Sequence, residues 1–412
     1  MVTLLDHLPS LRHVAPQRID PDAWPRTTAV DEMGRLCIGG VALADVADEF
    51  GTPAHVVDEA DFRHRLRRRR AGSRQVVPIV AATSLPTTVM RWVDDEGLGV
   101  AARGPTELAA AHAAGVTPAR LVLHACGLHH EELTACAEAA PGRIVVDSPL
   151  DVAYLGGVAR RGQRILVRVV DAGPDPATVD RVLRTRGLEL VGLHRRITNG
   201  VDLGIRDVVR SMAEVRHTHG ALLTEIGLTV AAVGTGLAAS IDDAVDEQCA
   251  AFRFPRPRVV VESRWPSTGL AGVSVHRVTS VVAPSCGPRV VVVDGSVTEP
   301  VRGPVVLANR HPPSPDEPMT VCSADAEIAI DVPLPCNVHP GDVLAVSSGA
   351  PGGGPVIAAR NNLVYGIVDR SLVDDELRRD VGFGSTGGGH DQHRRRQHSN
   401  GDRLTWREFP CL

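Results

Sequence analysis

Eight short apolar runs recur between Val76 and Glu262, and helix-patterned segments separate them. The runs are Val76–Ala82, Leu98–Ala102, Arg120–Cys126, Arg143–Ser148, Arg164–Val170, Leu188–His194, Thr229–Gly234 and Arg258–Glu262. They are continuous rather than alternating, the pattern of parallel strands covered on both faces. Between them lie stretches such as Thr106–Gly115 (TELAAAHAAG) and Glu131–Ala140 (EELTACAEAA), rich in Ala, Leu and Glu and typical of covering helices. Eight strand–helix alternations over about 190 residues fit an α/β chain folded as a small (β/α)8 TIM barrel. A doubly wound open sheet is the competing arrangement.

The texture changes after Leu270. Val273–Val282, Arg289–Asp294, Met319–Cys322, Glu327–Val332 and Asp342–Ser347 read as strands broken by Pro, Gly and Asn turns. The expected organisation is an N-terminal segment (1–50), the barrel (51–270), an all-β domain (271–383) and a disordered tail (384–412). Within the first segment, Arg35–Val46 offers the β domain a further strand. The tail opens on GSTGGGHDQHRRRQHSNGDR, which has too little apolar surface to pack.

Hydrophobic residues make up 43% of the 412 and aromatics only 3%, so the core must be Val, Leu, Ile and Ala. The net charge of −5 argues against nucleic acid or an anionic membrane as partner. Eight cysteines without framework spacing suit a reducing compartment. Met1–Gln17 carries Asp6, His7, Arg12 and His13 and lacks an apolar core of signal length. No run approaches the roughly 18 apolar residues of a membrane span. The expectation is a soluble cytoplasmic protein.

All 44 Lys+Arg residues are arginine, where a chain of this length would carry on the order of twenty lysines. Biosynthetic bias toward Arg accounts for the absence. Its chemical consequence stands regardless: no side chain can form a Schiff base with a carbonyl compound.

Chemistry in a (β/α)8 barrel collects where the strands end. In chain order the sequence carries Glu49-Phe50-Gly51-Thr52-Pro53, Val56-Val57-Asp58-Glu59, Glu96-Gly97-Leu98, Glu107-Leu108, and His124 with Glu132-Leu133. It goes on with Ile144–Ser148, Val191-Gly192-Leu193-His194, Val292-Val293-Asp294-Gly295 and Pro340-Gly341-Asp342. On these motifs the chain resembles the diaminopimelate decarboxylase family, a group of pyridoxal phosphate enzymes of the alanine racemase fold. The matches keep their order from about residue 20 to 375. The resemblance implies a barrel of the alanine racemase type, a C-terminal β domain and a head-to-tail homodimer. It also implies pyridoxal 5′-phosphate and decarboxylation of meso-diaminopimelate to L-lysine.

Several catalytic positions depart from the family pattern. Thr83, within Val80-Ala81-Ala82-Thr83-Ser84, stands where relatives hold the cofactor lysine. Ala101 replaces an Asp. Arg196 replaces the His that stacks on the pyridine ring. Glu-Pro-Gly-Arg becomes Glu262-Ser263-Arg264-Trp265, Pro351 replaces a cofactor-contacting Tyr, and a segment carrying Lys-Phe-Gly in relatives is missing between Val170 and Leu188. Other positions match. Gly234-Thr235-Gly236 resembles the glycine turn at the cofactor phosphate. Glu262 matches the carboxylate that pairs with the pyridine nitrogen. Cys322 matches a cysteine donated across the dimer interface, with Asp325 behind it at altered spacing. Each survivor also has an ordinary explanation: a tight turn needs glycine, a strand-end Glu pairs with a cation, and a cysteine packs as a buried thiol.

Three functions remain open on the sequence. The first is a catalytically degenerate homologue or pseudoenzyme, as a homodimer or as a heterodimer with an active paralogue. The second is an active diaminopimelate decarboxylase. The third is a binding protein for a small anionic metabolite, held by Arg103, Arg195, Arg196 and Arg264 if these converge at the barrel mouth. Cofactor binding through lysine is excluded, so pyridoxal phosphate is either held non-covalently or not at all. Cys126, His129 and His130, with His124 near them in sequence, suggest a metal, but the Cys-x2-His-His set lacks a convincing fourth ligand, and no metal is expected.

Overall fold

The computed structural model describes residues 19–71, 76–82, 85–170, 173–198, 200–230, 236–263, 271–285, 287–295, 303–311, 314–323, 327–347 and 355–367. The chain divides into two compact units. One runs from Arg63 to Ser267; the other joins the residues up to Phe62 to those from Thr268 onward.

The first unit is a closed barrel of eight parallel strands. They are β1 (Val76–Ala81), β2 (Gly99–Ala102), β3 (Leu121–His124), β4 (Arg143–Val146), β5 (Gln163–Val170), β6 (Leu188–Ile197), β7 (Glu225–Val230) and β8 (Arg258–Ser263). Each pairs with its neighbours in parallel, and β8 closes the ring on β1 with Val259 opposite Val76 and Ser263 opposite Val80. The connection between Val170 and Leu188, shorter than the resemblance implies, leaves the ring intact. Ile144 of β4 stays opposite Ile165 of β5, and Val167 of β5 opposite Leu193 of β6.

Helices link the strands: α1 (Thr87–Asp95), α2 (Pro105–Ala113), α3 (His130–Glu138), α4 (Pro149–Val158), α5 (Pro176–Arg184), α6 (Val201–His219) and α7 (Leu237–Ala251). Their starts are written in the sequence. Proline, which needs no N–H partner in a first helical turn, opens α2, α4 and α5. The Ser148 hydroxyl accepts the Asp151 N–H while Asp151 reaches back, a reciprocal cap. Helix α6 buries Ile205, Val208, Val209 and Met212 and stops at Gly220, whose φ of 70° is left-handed.

The seventh strand corrects the sequence reading. It spans Glu225–Val230 instead of Thr229–Gly234, because Glu225 is a buried ion-pair partner that heads the strand. Residues 231–234 lie outside the described residues.

The second unit contains a sheet in the order Glu327–Pro335, Asp316–Cys322, Arg289–Val293, Gly272–Val282, Ala54–Asp58, Val356–Arg360, Leu363–Ile367. Val343–Ser347 adds to Gly272–Val282 and carries Val305–Leu307 on its far side. Two expectations need correction. The expected barrel begins at residue 51, yet Ala54–Asp58 pairs antiparallel with Gly272–Val282 and parallel with Val356–Arg360. Arg35–Val46 contributes no strand to this sheet. Leu36–Ile38 and Val41–Ala42 form a separate three-stranded sheet with Ala29–Val30, and Leu43–Phe50 is a helix. Leu36, Ile38, Leu43 and Val46 still share one apolar cluster with Val56, Val273 and Ile357, so burial brings the segment into the unit without strand pairing. The expected tail lies outside the described residues.

Candidate active site

Side chains alternate along a strand, so one face of each barrel strand points to the axis and builds layers of side chains. At the strand starts, Arg143 of β4 and Glu225 of β7 form a buried ion pair, with Nη2 to Oε1 at 2.8 Å and a second contact through Nε. Arg164 Nη2 adds to Glu225 Oε1 at 2.7 Å. Above this base lies an apolar layer that includes Ile79, Ala101, Val122, Val145, Leu166 and Val260. Two residues further along the same faces, the strand ends bring polar groups together: Arg103, His124, Asp147, Arg168, Thr229 and Glu262, joined by His194. Gly227 makes room for His194. A Cβ on Gly227 would lie 2.8 Å from His194 Cδ2.

Hydrogen bonding fixes where the protons are. A guanidinium only donates, so Arg168 Nη2, 3.2 Å from His124 Nδ1, makes that nitrogen an acceptor. The His124 proton therefore sits on Nε2, which donates to Glu262 Oε2 at 2.6 Å. The Thr229 hydroxyl donates to the same oxygen at 3.1 Å. It must then accept from His194 Nε2 at 3.0 Å, which leaves His194 Nδ1 as a bare acceptor. That atom is buried and has no partner among the described residues. Arg103 Nη2 donates to Glu262 Oε1 at 2.8 Å.

The electrostatics agree with this arrangement. Burial opposes ionisation of Glu262, but the His124 hydrogen bond and the nearby His124, His194 and Arg103 outweigh it and lower its pKa to about 2. Burial first, then His124 and the Arg168 and Arg103 charges, lowers His194 to about 3 despite Glu262. At neutral pH the centre is an anionic carboxylate ringed by donors, beside a neutral imidazole.

His124, His194 and Glu262 hold ligand atoms within 4.8 Å of one another, the spacing of a metal site. The hydrogen bonds argue against one. Binding through His124 Nε2 would displace the proton given to Glu262, and Arg103 and Arg168 would face the cation.

The residues singled out from sequence fall in different places. Glu262 is the hub. Arg196, at the end of β6, is exposed. Gly236, with φ of 93°, caps the start of α7, while Thr83, Gly234, Thr235, Arg264, Asp325 and Pro351 lie outside the described residues. Cys322 belongs to the second unit, where burial and then Glu327 push its thiol pKa up, away from a thiolate. The described members of the expected arginine cluster, Arg103, Arg195 and Arg196, are engaged with separate partners or exposed. Arg103 is committed to Glu262, and Arg195 to Asp207 at 3.2 Å and to the Val170 carbonyl at 3.2 Å. His129 caps α3 and His130 lies on Tyr154 with ring centroids 4.6 Å apart. Burial pushes Cys126 up to about 12. Thr229 and Arg168 escaped the sequence reading. The available signal was a polar residue sharing the inward face of an otherwise apolar run.

A parallel barrel with a polar, pKa-perturbed cluster at its strand ends is the architecture of a barrel enzyme. Residues 59–175 match the family model for the pyridoxal-binding domain of pyridoxal-dependent decarboxylases. The diaminopimelate decarboxylase of Mycobacterium tuberculosis H37Rv is 30% identical over 80% of this chain and 88% of its own length. That of Actinosynnema pretiosum subsp. auranticum is 30% identical over 92% of this chain and 100% of its own. The crystal structure of diaminopimelate decarboxylase from M. jannaschii with L-lysine superposes with a TM-score of 0.71 at 16% identity. It covers 86% of this chain and 97% of that one. The Helicobacter pylori enzyme with L-lysine gives 0.66 at 15% identity, over 82% and 99%. These two establish the fold. The chain belongs to the diaminopimelate decarboxylase family.

The family implies pyridoxal phosphate, and the residues present do not fit that group in covalent form. The sequence holds no lysine, and both oxygens of Glu262 already have donors, one of them a cation. Among the described residues no helix is long and apolar enough to cross a membrane.

Proposed function

We propose that this chain is a catalytically degenerate diaminopimelate decarboxylase homologue. It keeps the barrel and a ligand-ready mouth but not lysine-tethered decarboxylation. One observation carries the reading: in 412 residues there is no side-chain amine. Decarboxylation through pyridoxal phosphate uses the cofactor as an electron sink, and the enzyme amine normally holds and exchanges it. The full donor set on Glu262 supports the same reading. So does Ala101, which lies in the apolar layer at a position where the resemblance implies an acid. The family points to a homodimer; a heterodimer with an active paralogue is the form in which an inert subunit retains a use. A cytoplasmic location fits the composition.

The direct test mixes purified protein with pyridoxal phosphate and meso-diaminopimelate, then follows absorbance near 420 nm and carbon dioxide release. We expect no borohydride-stable adduct on a side chain and no enzymatic turnover. The whole-chain likeness to curated diaminopimelate decarboxylases favours the opposite reading, a working decarboxylase. Carbon dioxide release at about 1 per second or faster, in the ordinary enzymatic range, would establish it and end ours.

A further inference from the structure

We propose that Arg103 is a built-in cation occupying Glu262, and that a ligand reaches this carboxylate only by offering a cationic N–H in its place. This deepens the reading above by naming the ligand class of the same site.

The three donors on Glu262 are unequal. His124 and Thr229 are buried and interlocked, His124 through Arg168 and Thr229 through His194. Arg103 is different. Its side chain is 37% exposed while that of Glu262 is 5% exposed. The Arg103 backbone is anchored, because its N–H donates to Glu107 Oε2 at 2.9 Å. A fixed backbone with a solvent-reaching side chain makes a hinged partner on a buried anchor. Of the donors on Glu262, Arg103 can leave without disturbing the core.

What replaces it is constrained by charge. Glu262 is anionic and buried, and leaving it without its cation is costly. A neutral donor restores the hydrogen bond but not the charge, and an anion is repelled. A protonated ring nitrogen or an ammonium satisfies both. His194 Nδ1, a buried lone pair without a partner among the described residues, offers a second point of attachment for another N–H or O–H on the same molecule. The His124 and His194 rings pack edge to face, nearly perpendicular with centroids 5.0 Å apart. The ligand class is a small cation with at least two donors and no need of a lysine.

Pyridoxamine is the probe, because it carries a ring nitrogen and a protonated amine but neither an aldehyde nor an anionic phosphate. Its affinity is measured by calorimetry for the wild type, Arg103→Ala and Arg103→Met, with circular dichroism confirming the fold of each. Met keeps the bulk of Arg and removes the charge. Removing an internal charged competitor should tighten binding by about tenfold or more in both variants, about 1.4 kcal/mol for each factor of ten. Adding Glu262→Gln to Arg103→Met should abolish the gain. Equal or weaker binding in both variants overturns the proposal, as does no binding by either at millimolar probe. A gain in Arg103→Ala alone also overturns it, since it reports added space and not a lost charge. Turnover by the wild type would sink the functional reading while leaving this comparison intact.

Discussion

His194 and Glu262 depart from ordinary titration in ways that make the fold acid-sensitive. The His194 pKa falls from 6.5 in the unfolded chain to about 3 in the fold, so between those values the unfolded chain binds the extra proton. Stability is then highest above pH 6.5 and declines as pH drops toward 3, by at most about 1.4 kcal/mol per pH unit for each such group. His55, lowered to about 4 by burial and by His276, adds the same trend in the second unit. Glu262, lowered from 4.5 to about 2, contributes stability that is complete above pH 4.5 and lost below it. Thermal melts from pH 7.5 to 4.5 should show a steadily falling midpoint, and His194→Gln should make the slope shallower. An unchanged slope would show that His194 is not the buried neutral group described here. Gly227→Ala tests the same residue sterically. Its new methyl would meet His194 Cδ2, and overpacking of this kind costs about 1–3 kcal/mol. Chemical denaturation should register that loss, whereas the same change at Gly157, where a Cβ meets nothing within 4 Å, should not.

Among the elements, β7 and the strand Ala54–Asp58 mark the limit of what the sequence disclosed. The other seven barrel strands announced themselves as apolar runs because both their faces are buried. β7 was displaced in the reading because it begins with a glutamate. The partners Arg143, 82 positions earlier, and Arg164 make that carboxylate an interior residue. Ala54–Asp58 is buried at every position and so resembles a barrel strand. Its neighbours, Gly272–Val282 and Val356–Arg360, lie far beyond any local pattern. The mouth was half legible for the same reason: Glu262 stood out as a charge in a Val run, while Thr229 blended into its strand. The base of the barrel supplies the element-scale prediction. Glu225→Ala strands the buried Arg143 guanidinium and should destabilise the fold by about 3–5 kcal/mol. A midpoint in urea unchanged from wild type would mean that the ion pair contributes nothing.

For the whole molecule, the absence of lysine turns a spectroscopic measurement into an unambiguous one. Apart from the amino terminus, an amine added at one position is the sole site for a Schiff base. Thr83→Lys should therefore give a borohydride-stable pyridoxyl adduct, located at residue 83 by peptide mass mapping, where the wild type gives none on a side chain. Failure of that variant to react would place residue 83 away from the mouth and weaken its correspondence to the family lysine.

The layering of the barrel carries a last consequence. Its ionic floor and its polar rim are separated by Ile79, Ala101, Val122 and their neighbours. No rim side chain is among the hydrogen-bond partners that the described residues give Glu225. A lineage with this architecture can shed a reaction step by step while the vessel stays sound, which leaves a well-built container free to acquire new contents.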